Sequence, residues 1–331
     1  MKKRWFAWLL TGCMAVSLTA CSPQAAPEAS GAADSQAAST QPNSDITVGF
    51  VVKSLNDQYW VLMKAGAEAR AQELGVHLVF IAPNSESDVQ TQVTMIEDLI
   101  SQDVSALCVA PSAPDAVLTA FDRAKEEGIP VLAVDTDTPW EDKVTFIGTG
   151  NEAAARLGGE YAAEVLGSGK KAVLLRGRLG DQTHDERIGG WEAGLEAGGI
   201  ELVEIRAADS ESEKALNATQ DLLQKYSDLD LICTSSDTMA QGAQRAVEQA
   251  GRDIKVLGFD GTLPVAELVL EGKIMATVAQ NPYEMGVLGV ENAIKAVNGE
   301  SVEERIDSGV QIVDASNAQQ FLDEMHEKLG D

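Results

Sequence analysis

Val131-Leu132-Ala133-Val134-Asp135 is a run of four apolar residues closed by a carboxylate, and Val256-Leu257-Gly258-Phe259-Asp260 repeats the pattern in the second half of the chain. A short apolar run ended by a polar residue reads as a strand buried on both faces, as in a parallel sheet covered by helices. The approach to each run is also alike. Ala106–Val109 and then Pro111-Ser112 lead through a helical window to the first; Leu231–Thr234 and then Ser235-Ser236-Asp237 lead through another to the second. In both halves an aspartate stands at the carboxyl end of the corresponding strand.

Working outward, apolar runs alternate with amphipathic windows along the globular part. Strands are expected at Ile46–Val52, His77–Ile81, Ala106–Val109, Pro130–Val134, Val144–Ile147, Lys171–Arg176, Glu201–Ile205, Leu229–Thr234, Lys255–Phe259 and Ile274–Val278. Helices are expected at Tyr59–Leu74, Asp88–Gln102, Ala113–Glu127, Glu152–Leu166, Glu186–Ala197, Ser212–Tyr226, Met239–Ala250, Leu263–Glu271 and Tyr283–Val297. Strictly alternating strands and helices imply right-handed βαβ units. The expected fold is α/β, with two doubly wound, Rossmann-like parallel-sheet lobes of similar plan.

The N-terminus speaks to compartment. Lys2, Lys3 and Arg4 precede an uncharged apolar stretch, Trp5–Ala20, too short for a membrane span and suited to a secretory signal. It ends in Leu18-Thr19-Ala20-Cys21, which resembles the lipobox of bacterial lipoproteins. That resemblance implies removal of residues 1–20 and a lipid on Cys21, hence an extracytoplasmic protein held to a membrane. Residues 22–44 are almost wholly Ala, Ser, Pro, Gln, Gly and Asn. Such a segment buries too little apolar surface to offset chain entropy and is expected to be a disordered tether, about 25–30 Å in mean span.

Charge excludes some partners. The chain carries 25 Lys+Arg against 52 Asp+Glu, a net of −27. A surface so acidic is unsuited to nucleic acid or to anionic lipid headgroups. Cys108 and Cys233 lie inside apolar runs and are expected as buried thiols. No CxxC or Cys/His cluster is present, so neither a metal nor a cofactor is expected.

Ligands of open parallel sheets bind just outside the strands' carboxyl ends, and two facing sheets make a cleft. Lys53, Asp57, Tyr59 and Trp60 follow the first strand, and Asp135 follows the fourth. Arg187 follows the loop 177–186; Ser236, Asp260 and Gln280 follow later strands. Carboxylates that accept from vicinal hydroxyls, Arg and Lys that donate, and an aromatic face for C–H groups suit a polyhydroxylated ring. Asp57, Asp135 and Asp260 against Lys53 and Arg187 leave no cationic surplus, which favours a neutral sugar over a phosphate or carboxylate. Each residue has a plainer role open to it. Trp60 could be core beside Met63 and Ala67, Asp135 and Asp260 caps or turn formers, Asp237 an N-cap, and Arg187 the partner of Asp185 or Glu186. Enzyme motifs are weak: Gly148-Thr149-Gly150-Asn151-Glu152-Ala153 comes too late in a sheet for a dinucleotide loop. Asp135 and Asp260 as a glycosidase pair is the rival enzyme reading.

At these residues the chain resembles the ribose/allose-type branch of periplasmic sugar-binding proteins, the substrate-capturing components of ABC importers. The resemblance runs through Val51-Val52-Lys53-Ser54-Leu55-Asn56 with Tyr59-Trp60, Ile96-Glu97-Asp98-Leu99 and Val109-Ala110-Pro111. It continues through Ser236-Asp237-Thr238-Met239-Ala240, Gly258-Phe259-Asp260-Gly261 and Ala276-Thr277-Val278-Ala279-Gln280-Asn281-Pro282. It implies ring-stacking aromatics at Tyr59 and Trp60 and hydroxyl-binding groups at Asp57, Asp135, Arg187, Ser236, Asp260 and Gln280. Lys53 matches the allose-binding variant. Asp57-Gln58-Tyr59, Thr136, Ser210 and Ser236 depart from the ribose pattern, which leaves the sugar open. The resemblance also implies discontinuous lobes, 45–149 with 281–308 and 150–280 with 309–331, joined by a three-crossing hinge. The expected partners are a monosaccharide, an importer permease and the membrane through Cys21, with the chain a monomer. The alternative binding reading is a sugar or autoinducer receptor for a signalling partner.

Overall fold

A computed structural model describes residues 43–329; the signal segment, Cys21, the tether as far as residue 42 and the last two residues lie outside the described residues. After a 3-10 turn at Asn43–Asp45 the chain runs β1 (Thr47–Val51), α1 (Gln58–Leu74), β2 (His77–Ile81), α2 (Val89–Ser101), β3 (Ala106–Val109), α3 (Leu118–Glu126), β4 (Val131–Val134) and β5 (Phe146–Gly148). It continues through α4 (Asn151–Leu166), β6 (Lys171–Arg176), α5 (Gln182–Ala197), β7 (Glu201–Ala207), α6 (Ser212–Lys225), β8 (Leu231–Thr234), α7 (Asp237–Ala250), β9 (Lys255–Asp260), α8 (Leu263–Leu270) and β10 (Ala276–Gln280). The last elements are α9 (Pro282–Val297), β11 (Arg305–Asp307), β12 (Val310–Asp314) and α10 (Ala318–Leu329).

Two six-stranded sheets result, ordered β2-β1-β3-β4-β5-β11 and β7-β6-β8-β9-β10-β12. The orders are the same strand for strand, which is the internal likeness expected from the sequence. All pairings in the first sheet are parallel. The second departs from the expected all-parallel form at its edge, where β12 runs antiparallel to β10. The central strands β3, β4 and β8 are buried at every residue, as apolar runs without alternation require.

The chain passes between the sheets three times: after β5, after β10 and between β11 and β12. Two of these passages touch, because Ser308 N–H donates to the Gly148 carbonyl at 3.1 Å and Thr149 and Ser308 hydroxyls lie 3.4 Å apart.

Each sheet is covered on both faces. In the first, one apolar layer joins Phe50, Trp60, Met63, Cys108 and Met285, and the other joins Ile96, Leu107, Phe121 and Trp140. In the second, Trp191 and Phe259 centre one layer, and Val256, Met239 and Phe321 belong to the other. Leu62 of α1 joins the last of these layers and so carries apolar packing across from the first sheet's helices. Cys108 and Cys233 are free and buried.

Helix α1 sets the site's floor. Asp57 caps it by accepting from Tyr59 N–H at 2.9 Å, and Gly75, in the left-handed region at φ +69°, ends it. Gly66 lets α9 press close, since a Cβ there would sit 2.0 Å from the Tyr283 carbonyl.

Strand boundaries fall within two residues of expectation, but two helices start elsewhere. Helix α3 begins five residues later than expected because Pro114 disfavours helix in the residue before it and a turn closed by Ala116 N–H to the Ala113 carbonyl comes first. Helix α5 begins four residues earlier, at Gln182, because Asp181 caps it by accepting from Thr183 N–H at 3.0 Å. Strands β11 and β12 and helix α10 were not expected.

Candidate functional site

The two strand-end aspartates share an uncommon backbone. Asp135, just past β4, has φ +63°, and Asp260, closing β9, has φ +131°. Few residues other than glycine adopt positive φ, and such strain persists only where the surroundings enforce it. Both carboxylates are buried and bonded. Asp135 Oδ1 accepts from Tyr59 Oη at 2.6 Å and Oδ2 from Thr136 Oγ1 at 2.8 Å. Asp260 Oδ1 accepts from Gln280 Nε2 at 2.7 Å and Arg187 Nη1 at 3.1 Å, while Oδ2 accepts from Asp237 N–H at 3.3 Å. Burial pushes the Asp260 carboxyl well above the usual range, and Arg187 pulls it part of the way back.

From the first sheet's side, Lys53, Tyr59 and Trp60 stand at or before the start of α1. Trp60 is both core and wall: it packs with Met63 and Ala67 and also reaches the cavity, its indole donating to Glu86 Oε1 at 3.1 Å. The two readings open in the sequence were therefore not exclusive. Tyr59 meets Trp60 edge to face at 4.9 Å, and burial beside Asp135 raises its phenol well above the ordinary value. Lys53 Nζ lies 3.8 Å from Asp135 Oδ2, 3.7 Å from Asp181 Oδ2 and 5.9 Å from the Trp60 ring centre. Burial lowers its pKa, but Asp181, Asp135 and Glu86 outweigh that and the net shift is upward, so it stays charged.

From the second sheet's side, Arg187 is spread over three partners. It donates to Asn151 Oδ1 and to the Ser235 carbonyl, each at 2.8 Å, besides Asp260, and its guanidinium covers the Phe259 ring at 4.1 Å. The alternative pairing with Asp185 or Glu186 does not form, since Asp185 engages Arg176 and Glu186 accepts from Gln182. His184 bridges Ser235 and Ser210 through its two ring nitrogens, at 2.8 and 3.0 Å. Burial and the nearby Arg187 lower it to about 3, so the ring is neutral. Ser236 precedes α7 without capping it, and its hydroxyl is buried with no partner among the described residues. A buried polar atom left unsatisfied is a cost that a ligand hydroxyl would relieve. Asp237 is a correction to the expected N-cap. It is the first residue of α7, and its carboxylate is spent inward on Thr262 N–H at 2.7 Å, Thr262 Oγ1 at 3.0 Å and Thr277 Oγ1 at 2.7 Å.

These groups meet. Lys53, Asp57, Tyr59, Trp60, Asp135, Arg187, Ser236, Asp260 and Gln280 all line one cavity of about 40 Å³ between the sheets. Glu86, Thr183, His184 and Ser210 complete the lining and were not among the expected contacts. Glu86 and Ser210 lie in the loops after β2 and β7, and Thr183 and His184 in the first turn of α5, which follows β6. The two walls touch across the cavity. Thr238 Oγ1 donates to Asp57 Oδ2 at 2.8 Å, Arg178 Nη2 to the Ser112 carbonyl at 2.8 Å, and Tyr59 Oη lies 3.4 Å from Gln280 Oε1. With the walls in contact, the space between them is only about 40 Å³. Among the described residues no group of three His, Cys, Asp or Glu side chains is placed to hold a metal ion.

Comparisons with known proteins bear on the family and the fold. Residues 48–301 match the family model described as a periplasmic binding protein domain. The chain is similar to the ribose import binding protein of Haemophilus influenzae, 34% identical over 84% of this chain and 94% of that one. It is also similar to the D-ribose/D-allose-binding protein of Pseudomonas aeruginosa, 29% identical over 80% of this chain and 86% of that one. Among solved structures, an ABC transporter solute-binding protein from Agrobacterium vitis with bound D-fucose superposes with a TM-score of 0.78 at 32% identity, covering 82% of this chain and 96% of that one. One from Actinobacillus succinogenes with bound D-allose gives 0.80 at 27% identity, covering 83% and 100%.

Proposed function

The chain belongs to the periplasmic binding protein domain family, and from that premise we propose that it is the substrate-binding protein of an ABC-type sugar importer, capturing a neutral monosaccharide between its two sheets. The observation that carries this reading is the meeting of Asp135 from one sheet and Asp260 from the other around a cavity walled by Tyr59 and Trp60. It is a binding protein and not an enzyme.

The chemistry follows from the lining. Asp135 and Asp260 accept from ring hydroxyls, Lys53 and Arg187 donate charge-assisted bonds, and Ser236 and Gln280 add neutral polar groups. Trp60 offers its ring to the C–H face of the sugar. Glu86 and Asp181 add negative charge near Lys53, so the acidic excess read from the sequence is larger in the folded site and disfavours an anionic ligand. The lobes take residues 45–149 with 281–308, and 150–280 with 309–331. A ligand that touches both stabilises the closed arrangement, and closure is what the importer permease recognises. The protein acts as a monomer outside the cytoplasm, tethered by lipid on Cys21.

Thermal-shift screening against neutral pentoses, hexoses and polyols tests the ligand. Stabilisation by at least one of these is expected; stabilisation only by a nucleoside or an amino acid would overturn the sugar reading. Mass spectrometry of the membrane fraction tests the anchor: a diacylglyceryl mass on Cys21 is expected, and an unmodified N-terminus would refute it.

A further inference from the structure

A second, larger cavity adjoins the first. It holds about 460 Å³, within the range of small-molecule sites, and shares Asp57, Glu86, His184 and Ser210 with the inner one. Ser210 stands where the two meet. It occupies a turn closed by Glu211 N–H to the Ala208 carbonyl at 2.9 Å, with Asp209 and Ser210 at φ +52° and +58°, and its hydroxyl lies 3.0 Å from His184 Nε2. Its side chain is short, and a bulkier one would fill space where the two cavities adjoin.

The outer lining has a definite chemistry. No aliphatic side chain and no Phe, Tyr or Trp is among the described residues that form it, so nothing there suits an apolar or aryl group. Its acids are Asp57, Glu86, Asp181, Asp209 and Glu211. Its two cations already lie beside these acids: Arg178 Nη2, which also donates to the Ser112 carbonyl, is 3.9 Å from Asp181 Oδ2, and Lys214 lies 2.8 Å from Asp209 Oδ2 and 2.9 Å from Glu211 Oε1. An anionic substituent would meet an acidic wall with no cation to spare. What remains is uncharged hydroxyl and amide chemistry, from Ser54, Asn56, Asn84, Ser85 and Ser87.

We infer that the outer cavity is a subsite for a neutral hydroxylated substituent, so that the protein takes glycosides, a sugar ring in the inner cavity bearing a second sugar unit in the outer one. This rests on the sugar-binding reading of the inner site and extends its ligand class. Substituents that are phosphorylated, carboxylated or aryl are excluded by the same lining.

Calorimetric titration of the whole chain with a panel of neutral monosaccharides and the disaccharides built from them tests it. At least one disaccharide is expected to bind as tightly as its parent sugar or more so. Asn84→Trp, which fills the outer cavity from a residue outside the inner one, is expected to weaken that disaccharide at least tenfold and leave the monosaccharide unchanged. Ser210→Phe, which fills space where the two cavities adjoin, should lower the disaccharide-to-monosaccharide affinity ratio by a similar factor. Monosaccharide binding with every disaccharide at least a hundredfold weaker would overturn the subsite and leave the sugar-binding reading standing. Equal loss of both ligands in Asn84→Trp would also overturn it. Binding of neither class would overturn the sugar-binding reading and the subsite with it.

Discussion

Replacing Arg187 by methionine removes the one cation bonded to Asp260 among the described residues while keeping much of the side chain's bulk over Phe259. Three acceptors then lose a donor: Asp260 Oδ1, the Ser235 carbonyl and Asn151 Oδ1. Arg187 and Asp260 are 5% and 8% exposed, so solvent repairs little of this. Breaking a buried pair from one side costs about 3–5 kcal/mol, because the remaining charge is left desolvated. At about 2–4 °C per kcal/mol for a chain of this size class, the melting midpoint should fall by about 10 °C. The loss should depend on pH in a definite sense. Burial already holds the Asp260 carboxyl above its unfolded value, and loss of Arg187 raises it further. The folded variant then binds a proton more readily than the unfolded chain. The deficit is full above the folded-state pKa and shrinks as pH falls toward the unfolded value of about 3.9. Urea unfolding at pH 8 and pH 5 measures both effects. Adding Asp260→Asn should recover at least half of the loss at pH 8, since the orphaned charge is gone, but not the part owed to Ser235 and Asn151. A single variant within 1 kcal/mol of the parent, or a double variant no better than the single, would refute the claim that this pair is an electrostatic unit.

Three further outcomes follow from particular contacts. Gly66→Ala forces α1 and α9 apart around the Tyr283 carbonyl and should cost about 1–3 kcal/mol, read from the same unfolding curves; an unmoved midpoint contradicts the close packing. Cys108 and Cys233 have thiols pushed well up by burial, so a thiol reagent at pH 8 should leave both unlabelled in the native protein and label both in denaturant. Labelling of either in the native state would mean that its strand opens. Thr238→Val removes the hydrogen bond to Asp57 across the cleft and should weaken ligand binding by about 1 kcal/mol, roughly fivefold, by calorimetry; undiminished affinity would take that contact out of the closure.

Most of the fold was legible because its signal is local. Ala106–Val109 and Val131–Val134 are apolar without alternation, and runs this short, bounded by turn residues and followed by helical windows, read as strands buried on both faces. The strand ends followed, and with them Asp135 and Asp260. What escaped was carried by weaker or longer-range signals. Arg305–Asp307 pairs with Phe146–Gly148, from which it is far removed in the chain; two of its three residues are charged and exposed, and Ile306 alone packs inward, too short a run to mark a strand. Helix α10 does carry a local signal, with Ala318, Phe321, Leu322 and Met325 buried at helical spacing, though it was not expected. A lone histidine or glutamate carries no periodic pattern; His184, in the first turn of α5, and Glu86, in the loop after β2, become part of the site through partners on other elements, Ser235 and Ser210 for the one and Trp60 for the other. The role of Asp237 was misread because a carboxylate at a helix start looks like a cap whether it turns to the helix or, as here, to Thr262 and Thr277.

The proposed function requires that residues from both sheets hold one neutral sugar. The most direct test is calorimetric titration of the most stabilising sugar into the parent chain, Asp135→Ala and Asp260→Ala, with circular dichroism showing that each remains folded. A charge-assisted hydrogen bond is worth about 1.5–3 kcal/mol, so each variant should bind at least tenfold more weakly, and both should do so. Parent-like affinity in either variant would contradict the claim, since one of the two sheets would then contribute nothing through its strand-end carboxylate.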